Sequence, residues 1–322
     1  MKASIWYYAG MSQSTLLVLV NREGGRAAKA GDDLFGTLTS AFAKSGGADI
    51  QMLTSHEMPA AIANTAKSHR RIAVAGGDGT MSCAAQGLAG SETELAILPL
   101  GTLNHLARDL AIPTNLDAAA ALAVHGKSVK IDLGTVNGHC FVNNASMGLY
   151  PVMVKERDAV TKHAHWPKWL ATVPAAWDAL AHFPTLHLHV NLGDGEFPLR
   201  TRLLFVGNNR YVLEGANIGS RPSLQAGQLW TVAVARRSRL GLAVGALRTL
   251  VGRAGMNGDF KVLGESATFT VTNGEVSLEI ALDGEVLQLN SPLKFESRAA
   301  ALRVVVPDRL PGTQASGPSV RF

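Results

Sequence analysis

Apolar residues in this chain fall into two rhythms. Over the first third, short runs at residues 16–20, 50–53, 72–75 and 95–98 are apolar or nearly so, as in strands buried on both faces. Between them the apolar positions recur at three and four. Leu34, Phe35, Leu38 and Phe42 share one side of a helix predicted over 27–42. Residues 59–68 predict a second helix, with proline at its start. Met81, Ala84, Ala85 and Leu88 mark a third, and residues 103–110 and 117–124 two more. Repeated strand–helix units predict a parallel sheet with helices on both faces.

Past residue 128 the rhythm becomes alternation. Residues 129–136, the pair Asn137-Gly138 and residues 139–145 read as a hairpin. Further strands are predicted at 186–192, 197–206, 229–235, 267–272, 275–282 and 286–289, with a helical patch at 240–250. A last strand at 302–306 has the pattern to pair in either half. The expected architecture is an α/β N-terminal nucleotide-binding domain over 15–128, followed by a C-terminal antiparallel β-sandwich over 129–306. Residues 1–14 and 307–322 are expected to be loose.

Composition narrows the function. The 322 residues, 47% of them hydrophobic, suffice for a large core. A net charge of +5 without a basic, aromatic-interleaved run excludes a nucleic-acid binder, but suits anionic ligands and anionic membrane surfaces. No apolar stretch reaches spanning length, and no signal peptide is expected at the start. Two cysteines, Cys83 and Cys140, form neither a disulfide framework nor zinc spacing, which fits a cytoplasmic setting. Five of the ten histidines lie in 163–189, but His187 and His189 alternate with leucines and read as the solvent side of a strand rather than a metal site.

The chemistry concentrates in two glycine-rich turns. Gly76-Gly77-Asp78-Gly79-Thr80 follows the third strand, and Pro99-Leu100-Gly101-Thr102-Leu103-Asn104 the fourth. Glycine lets backbone N–H groups approach phosphate oxygens, and a following helix N-terminus adds favourable field. Both turns sit at strand carboxyl ends, where open parallel sheets bind ligands. Neither is a P-loop. Asp78 reads either as a magnesium ligand or as a helix cap. Thr80 and Thr102 read as phosphate contacts or caps. Asn104 contacts nucleotide or pins its loop.

These turns resemble the diacylglycerol kinase catalytic domain, a family that includes bacterial soluble lipid kinases and sphingosine and ceramide kinases. Val129-Lys130-Ile131-Asp132-Leu133-Gly134 and Leu282-Asp283-Gly284-Glu285 carry the likeness further along the chain. The resemblance implies phosphoryl transfer from ATP, with Mg2+, to the hydroxyl of a diacylglycerol-like lipid alcohol in the cleft between the two halves. It implies nucleotide binding by Asn21, Thr54, Gly76, Gly77, Asp78, Gly79, Thr80, Gly101, Thr102 and Asn104, with Asp78 also at the metal. Asp283 and Glu285 are the catalytic candidates, either of them as the base. Transient contact with the membrane surface follows, and Trp166, Trp169 and Trp177 beside Lys162 and Lys168 suit a lipid–water interface. Alternatives are an NAD kinase-like soluble-metabolite kinase and a non-catalytic nucleotide- or lipid-binding protein. The chain departs from the family pattern at Asn21-Arg22-Glu23-Gly24-Gly25, at Ser82 and Cys83, and at Ala226. At the last position the family generally has an aspartate, used by some bacterial members for a structural magnesium, so that second metal is expected to be weak or absent here.

Overall fold

The structure, a computed structural model, describes residues 16–23, 33–148, 185–193, 195–212, 219–234 and 260–308. The tryptophan-bearing segment, the helical patch at 240–250 and the terminal residues 1–15 and 309–322 lie outside the described residues.

The first third forms as its rhythm predicts. Strands β1 (Leu16–Asn21), β2 (Ala48–Leu53), β3 (Arg71–Gly76) and β4 (Glu94–Pro99) pair in parallel in the order β2-β1-β3-β4. Helices α1 (Asp33–Ala43), α2 (Met58–Thr65), α3 (Asp78–Leu88), α4 (His105–Asp109) and α5 (Leu116–His125) cover both faces. Alternation along each strand divides the burial. Leu17, Leu19, Ile72 and Val74 pack with Met58, Ile62 and Leu88 on one face. Val18, Val20, Ala73 and Ala75 pack with Leu38, Phe42 and Ala120 on the other.

The second half holds β5 (Lys127–Val136), β6 (His139–Phe141), β7 (Asn144–Gly148), β8 (Leu186–Asn191), β9 (Glu196–Thr201), β10 (Leu203–Asn208), β11 (Leu229–Val234), β12 (Phe260–Ser266), β13 (Thr268–Thr272), β14 (Ser277–Leu282), β15 (Glu285–Asn290) and β16 (Leu293–Val306). Six of these make an antiparallel sheet in the order β12-β11-β10-β7-β14-β15. Its inner face packs Met147, Leu204, Val206 and Ile280 against Val136, Phe141, Phe269 and Phe295 of the other sheet.

Three predicted strands are corrected. The run at 197–206 is two strands in different sheets, because the Thr201 hydroxyl turns back onto Leu203 O at 2.8 Å and ends the ladder. The second arm of the 129–145 hairpin stops at Phe141. Val142 N and Asn143 N leave the ladder to donate to the Asp283 carboxylate at 2.7 and 2.8 Å, and the chain crosses to the other sheet. The last strand starts at Leu293 rather than residue 302. One of its edges pairs with β5 along nearly its whole length, and the other meets β13 and then β4. The parallel sheet and one layer of the sandwich are therefore a single ten-stranded sheet. A bulge between Arg298 and Leu302 marks the junction, with Ala300 at φ 53. Asp132, buried, holds it by accepting from Ala300 N at 2.9 Å and from Gly227 N at 2.7 Å.

At the far end of the sheet, Arg71 donates to Glu94 at 2.7 Å and to the carbonyls of Ala123 and Val124, in the last turn of α5, and of Gly126 just after it. Burial pushes the Glu94 carboxyl up, but hydrogen bonds from Ser128 and Arg71 outweigh it and hold the group below its usual 4.5. A depressed carboxylate stabilises the fold above its unfolded pKa and loses that contribution as pH falls through the folded value. Glu94→Gln is expected to cost about 2 kcal/mol at pH 7, with the difference shrinking below about pH 4. Urea unfolding of both proteins at the two pH values measures it.

Candidate active site

The two glycine turns are packed backbone against backbone. Leu100 N donates to Gly76 O at 2.9 Å, and a methyl group placed on Gly77 would lie 3.2 Å from Gly101 Cα. No side chain fits between them without moving a main chain. Asn104 takes φ 48, a left-handed conformation that asparagine tolerates. Its side chain closes back on Gly101, accepting from Gly101 N and donating to Gly101 O, both at 2.9 Å. Of the two readings of Asn104, the loop-pinning one describes this geometry.

Asp78 binds the turns to each other. Its Oδ1 accepts from His105 N at 2.7 Å and its Oδ2 from Asn104 N at 3.0 Å. It caps α4, not the helix α3 that it opens. Each oxygen keeps a lone pair beyond these bonds. Asn21 donates from Nδ2 to the buried Thr80 hydroxyl at 2.9 Å, fixing the end of β1 to the first turn of α3.

These elements enclose a polar cleft of about 620 Å³, lined among others by Asn21, Ser55, Asp78, Thr80, Thr102 and Glu285. Gly77, Gly79 and Gly101 also line it, whereas Gly76, Asn104 and Thr54 do not. Thr54 instead forms a capping box with Glu57: its N–H and hydroxyl donate to Glu57 Oε2 at 2.8 Å, and Glu57 N donates back to Thr54 Oγ1 at 3.3 Å. The neighbouring Ser55 occupies the lining position, and its hydroxyl donates to Asn21 Oδ1 at 3.3 Å. Sequence reasoning missed Ser55, although the end of β2 marked the place. It also missed Cys83 as a lining residue. Burial, and then the Glu285 charge, push that thiol's pKa up, so it is a poor nucleophile.

The Asp-Gly-Glu turn separates two carboxylates that the sequence could not rank. Asp283, at φ 47, accepts four hydrogen bonds. Ser82 Oγ and Val142 N reach Oδ2, each at 2.7 Å, and Asn143 N and Asn144 N reach Oδ1 at 2.8 and 3.0 Å. Its lone-pair sites are thereby filled. Among the described residues Ser82 supplies the one side-chain donor. Glu285 is exposed and lies in the cleft, its Oε1 3.4 Å from where a methyl group on Gly79 would sit. Asp78 and Glu285 thus share the cleft. Among the described residues no cluster of three or more His, Cys, Asp or Glu side chains is found.

Directly behind the Asp283 donors lies a second, apolar cavity of about 340 Å³, between α4 and the six-stranded sheet. Phe205, Trp230, Val232 and Phe260 line its body. His105, Asp109, Asn143 and Asn144 are polar residues of its lining. Arg221 donates to Asp109 Oδ2 at 2.7 Å, with both side chains buried, and anchors α4 to the second half. Tyr211 donates to Asn143 O at 2.9 Å, and burial pushes its hydroxyl up to about 12, so it stays a donor.

Residues 15–136 match the family model of the diacylglycerol kinase catalytic domain. A Pseudomonas savastanoi pv. phaseolicola protein named "Probable lipid kinase YegS-like" is 32% identical over 248 residues, 75% of this chain and 77% of that protein. This chain belongs to the diacylglycerol kinase catalytic domain family. A protein of Staphylococcus aureus named diacylglycerol kinase is 26% identical over 213 residues, 66% of each chain. A diacylglycerol kinase crystal structure from Bacillus anthracis str. Sterne shares the fold, with TM-score 0.65 and 19% identity over 93% of this chain and all of that one. This family member combines an α/β sheet with an antiparallel one. Among its described residues no helix is long and apolar enough to cross a membrane.

The contact between the turns gives a test of the family member's polar cleft. Gly101→Ala drives a methyl group into Gly77 Cα and the Asn104 carboxamide, so the turns must separate. The variant is expected to lose about 1–3 kcal/mol of stability, as overpacked sites do, measured by urea unfolding beside the wild type.

Proposed function

We propose that this protein transfers the γ-phosphoryl group of ATP to the hydroxyl of a diacylglycerol-like lipid, with ATP in the polar cleft and the lipid in the apolar cavity. The observation that carries the reading is the shared wall: α4 and the 142–144 segment border the cavity, while the carboxylates they help position, Asp78 and Glu285, line the cleft. The glycine turns present main-chain N–H groups to the phosphates, and Thr80, Thr102 and Asn21 add polar contacts. Asp78 would hold Mg2+, which is usually bound through one or two carboxylates together with phosphate oxygens and water. When bound, the ion supplies neutralisation of the phosphate charge.

Glu285 acts as general base. It takes the proton of the acceptor hydroxyl as that oxygen bonds to the γ-phosphorus and the bond to the ADP oxygen breaks. Asp283 is a positioning residue whose four hydrogen bonds fix the turn that carries Glu285. An NAD kinase-like reading fits less well, because a soluble metabolite gains little from a cavity walled by Phe205, Trp230 and Phe260. The family membership and the cavity together support a protein that visits the membrane surface from the cytoplasm to collect its lipid.

The test is phosphorylation of detergent-dispersed lipids by [γ-32P]ATP with magnesium. A labelled lipid formed by the wild type and lost in Glu285→Gln supports the reading. Nucleotide binding with no labelled lipid from any acceptor would move the weight to a binding role.

A further inference from the structure

The Asp-Gly-Glu turn approaches helix α3 at two points. At one, Ser82 Oγ donates to Asp283 Oδ2 at 2.7 Å. At the other, Glu285 Oε1 lies 3.4 Å from where a methyl group on Gly79 would sit. Three residues separate these points on α3, about 4.5 Å along its axis. The turn therefore runs along the helix, with Glu285 beside its first turn and Asp283 beside its second.

The two points differ in kind. Glu285 passes a glycine, which offers no side chain to hold it. The Ser82 bond is directional. A serine hydroxyl has one proton. Its other acceptor, Asp78 O at 3.1 Å, is farther away and neutral, so the carboxylate takes that proton. The three remaining donors to Asp283, the N–H groups of residues 142, 143 and 144, belong to the second half of the chain, as the turn itself does. Among the described residues, Ser82 makes the one hydrogen bond that joins this turn to the α/β half. It stands four residues after Asp78 and four before Gln86, on one face of α3. Gln86 accepts from Cys140 N at 2.7 Å, a second tie between the same helix and the second half, away from the turn.

We infer that Ser82 is the positioning residue that sets the Glu285 carboxylate against Asp78 in the cleft. Asp78 opens the helix on which Ser82 sits, and Glu285 follows by two residues the aspartate that Ser82 holds. One hydrogen bond thus keeps a carboxylate of the first half and a carboxylate of the second in register. The inference rests on the reading of Glu285 as the base and adds what places it.

Ser82→Ala removes the hydroxyl and favours the helix, so the fold is expected to hold. In steady-state lipid phosphorylation its kcat is expected to fall by about 10- to 100-fold, as misplacement by about 1 Å does. The KM for ATP is expected to stay within about twofold of wild type, the range of independent sites. Ser82→Ala is then combined with Glu285→Gln. Once the base is gone its placement no longer matters, so the added Ser82→Ala is expected to change the remaining turnover by less than about twofold. A loss of the same factor in both backgrounds is the mark of a merely structural role and overturns the inference. Gln86→Ala cuts the other tie and is expected to leave kcat within about twofold of wild type; a fall equal to that of Ser82→Ala also overturns it. Wild-type kcat in Ser82→Ala beside an inactive Glu285→Gln overturns the inference and leaves the kinase reading standing. Full turnover in Glu285→Gln overturns the reading of the base and the inference with it. If the wild type phosphorylates no lipid, hydrogen–deuterium exchange decides. Faster exchange in Ser82→Ala at residues 283–286 than in the rest of β14 and β15 supports the positioning while the kinase reading falls; unchanged protection there overturns the inference.

Discussion

Glu285→Gln is expected to lower lipid phosphorylation by roughly 10²–10⁴-fold in kcat, the usual contribution of a positioned general base. The substitution keeps size and polarity but removes the proton acceptor. The Glu285 side chain makes no hydrogen bond to the described residues and is exposed in the cleft, so the fold has little stake in its charge. Thermal stability is therefore expected to stay within about 0.5 kcal/mol of wild type, as for surface changes. The affinity for ATP without magnesium should also hold. Steady-state kinetics over a range of lipid, set beside a melting curve, tests both halves. A variant that keeps most of its turnover would remove Glu285 from the chemistry.

Asp283→Asn is expected to do the reverse first. Ser82 Oγ and the N–H groups of residues 142, 143 and 144 all point donors at the carboxylate. An amide can accept on one side only, so its N–H2 must confront two of those donors. The loss of two charge-assisted bonds with donors left facing a donor is expected to cost about 2–4 kcal/mol. Asparagine tolerates the φ of 47 at this position, so backbone strain does not contribute. The melting temperature should drop by about 2–4 °C per kcal/mol lost. Turnover should fall as well, because the turn no longer holds Glu285, and part of it should return at lower temperature. A stable, inactive Asp283→Asn protein would instead put the base at Asp283.

The contrast between these carboxylates shows where the chain was readable and where it was not. The α/β rhythm, the β-sandwich and the two glycine turns were legible because local periodicity and glycine placement are properties of neighbouring residues. His187 and His189 are exposed and Leu188 and Val190 buried, as the alternation implied. The ranking of Asp283 against Glu285 depends on who donates from Ser82 and from residues 142–144, far away in sequence. Thr54 looked like a ligand contact because it ends a strand. Its Thr-x-x-Glu spacing to Glu57 was also present and describes the capping box that forms. Asp109 gave no local signal at all. Its partner Arg221 lies in the other half of the chain, and only the fold brings the two buried side chains together.

The long strand β16 sets the order in which the molecule can be completed. The parallel sheet of the first third leaves β4 without a neighbour on one side until residues 303 and 304 arrive. On a ribosome, those residues emerge after every other described strand has been made. The glycine turns follow β4, the open edge itself, and β3 beside it, and therefore spend most of synthesis on an unfinished sheet. An exposed strand edge is a template for wrong pairing, and such distant contacts fold slowly. A nascent chain stalled before residue 293 should be protease-sensitive in its first third, and resistance should appear only once β16 has cleared the exit tunnel.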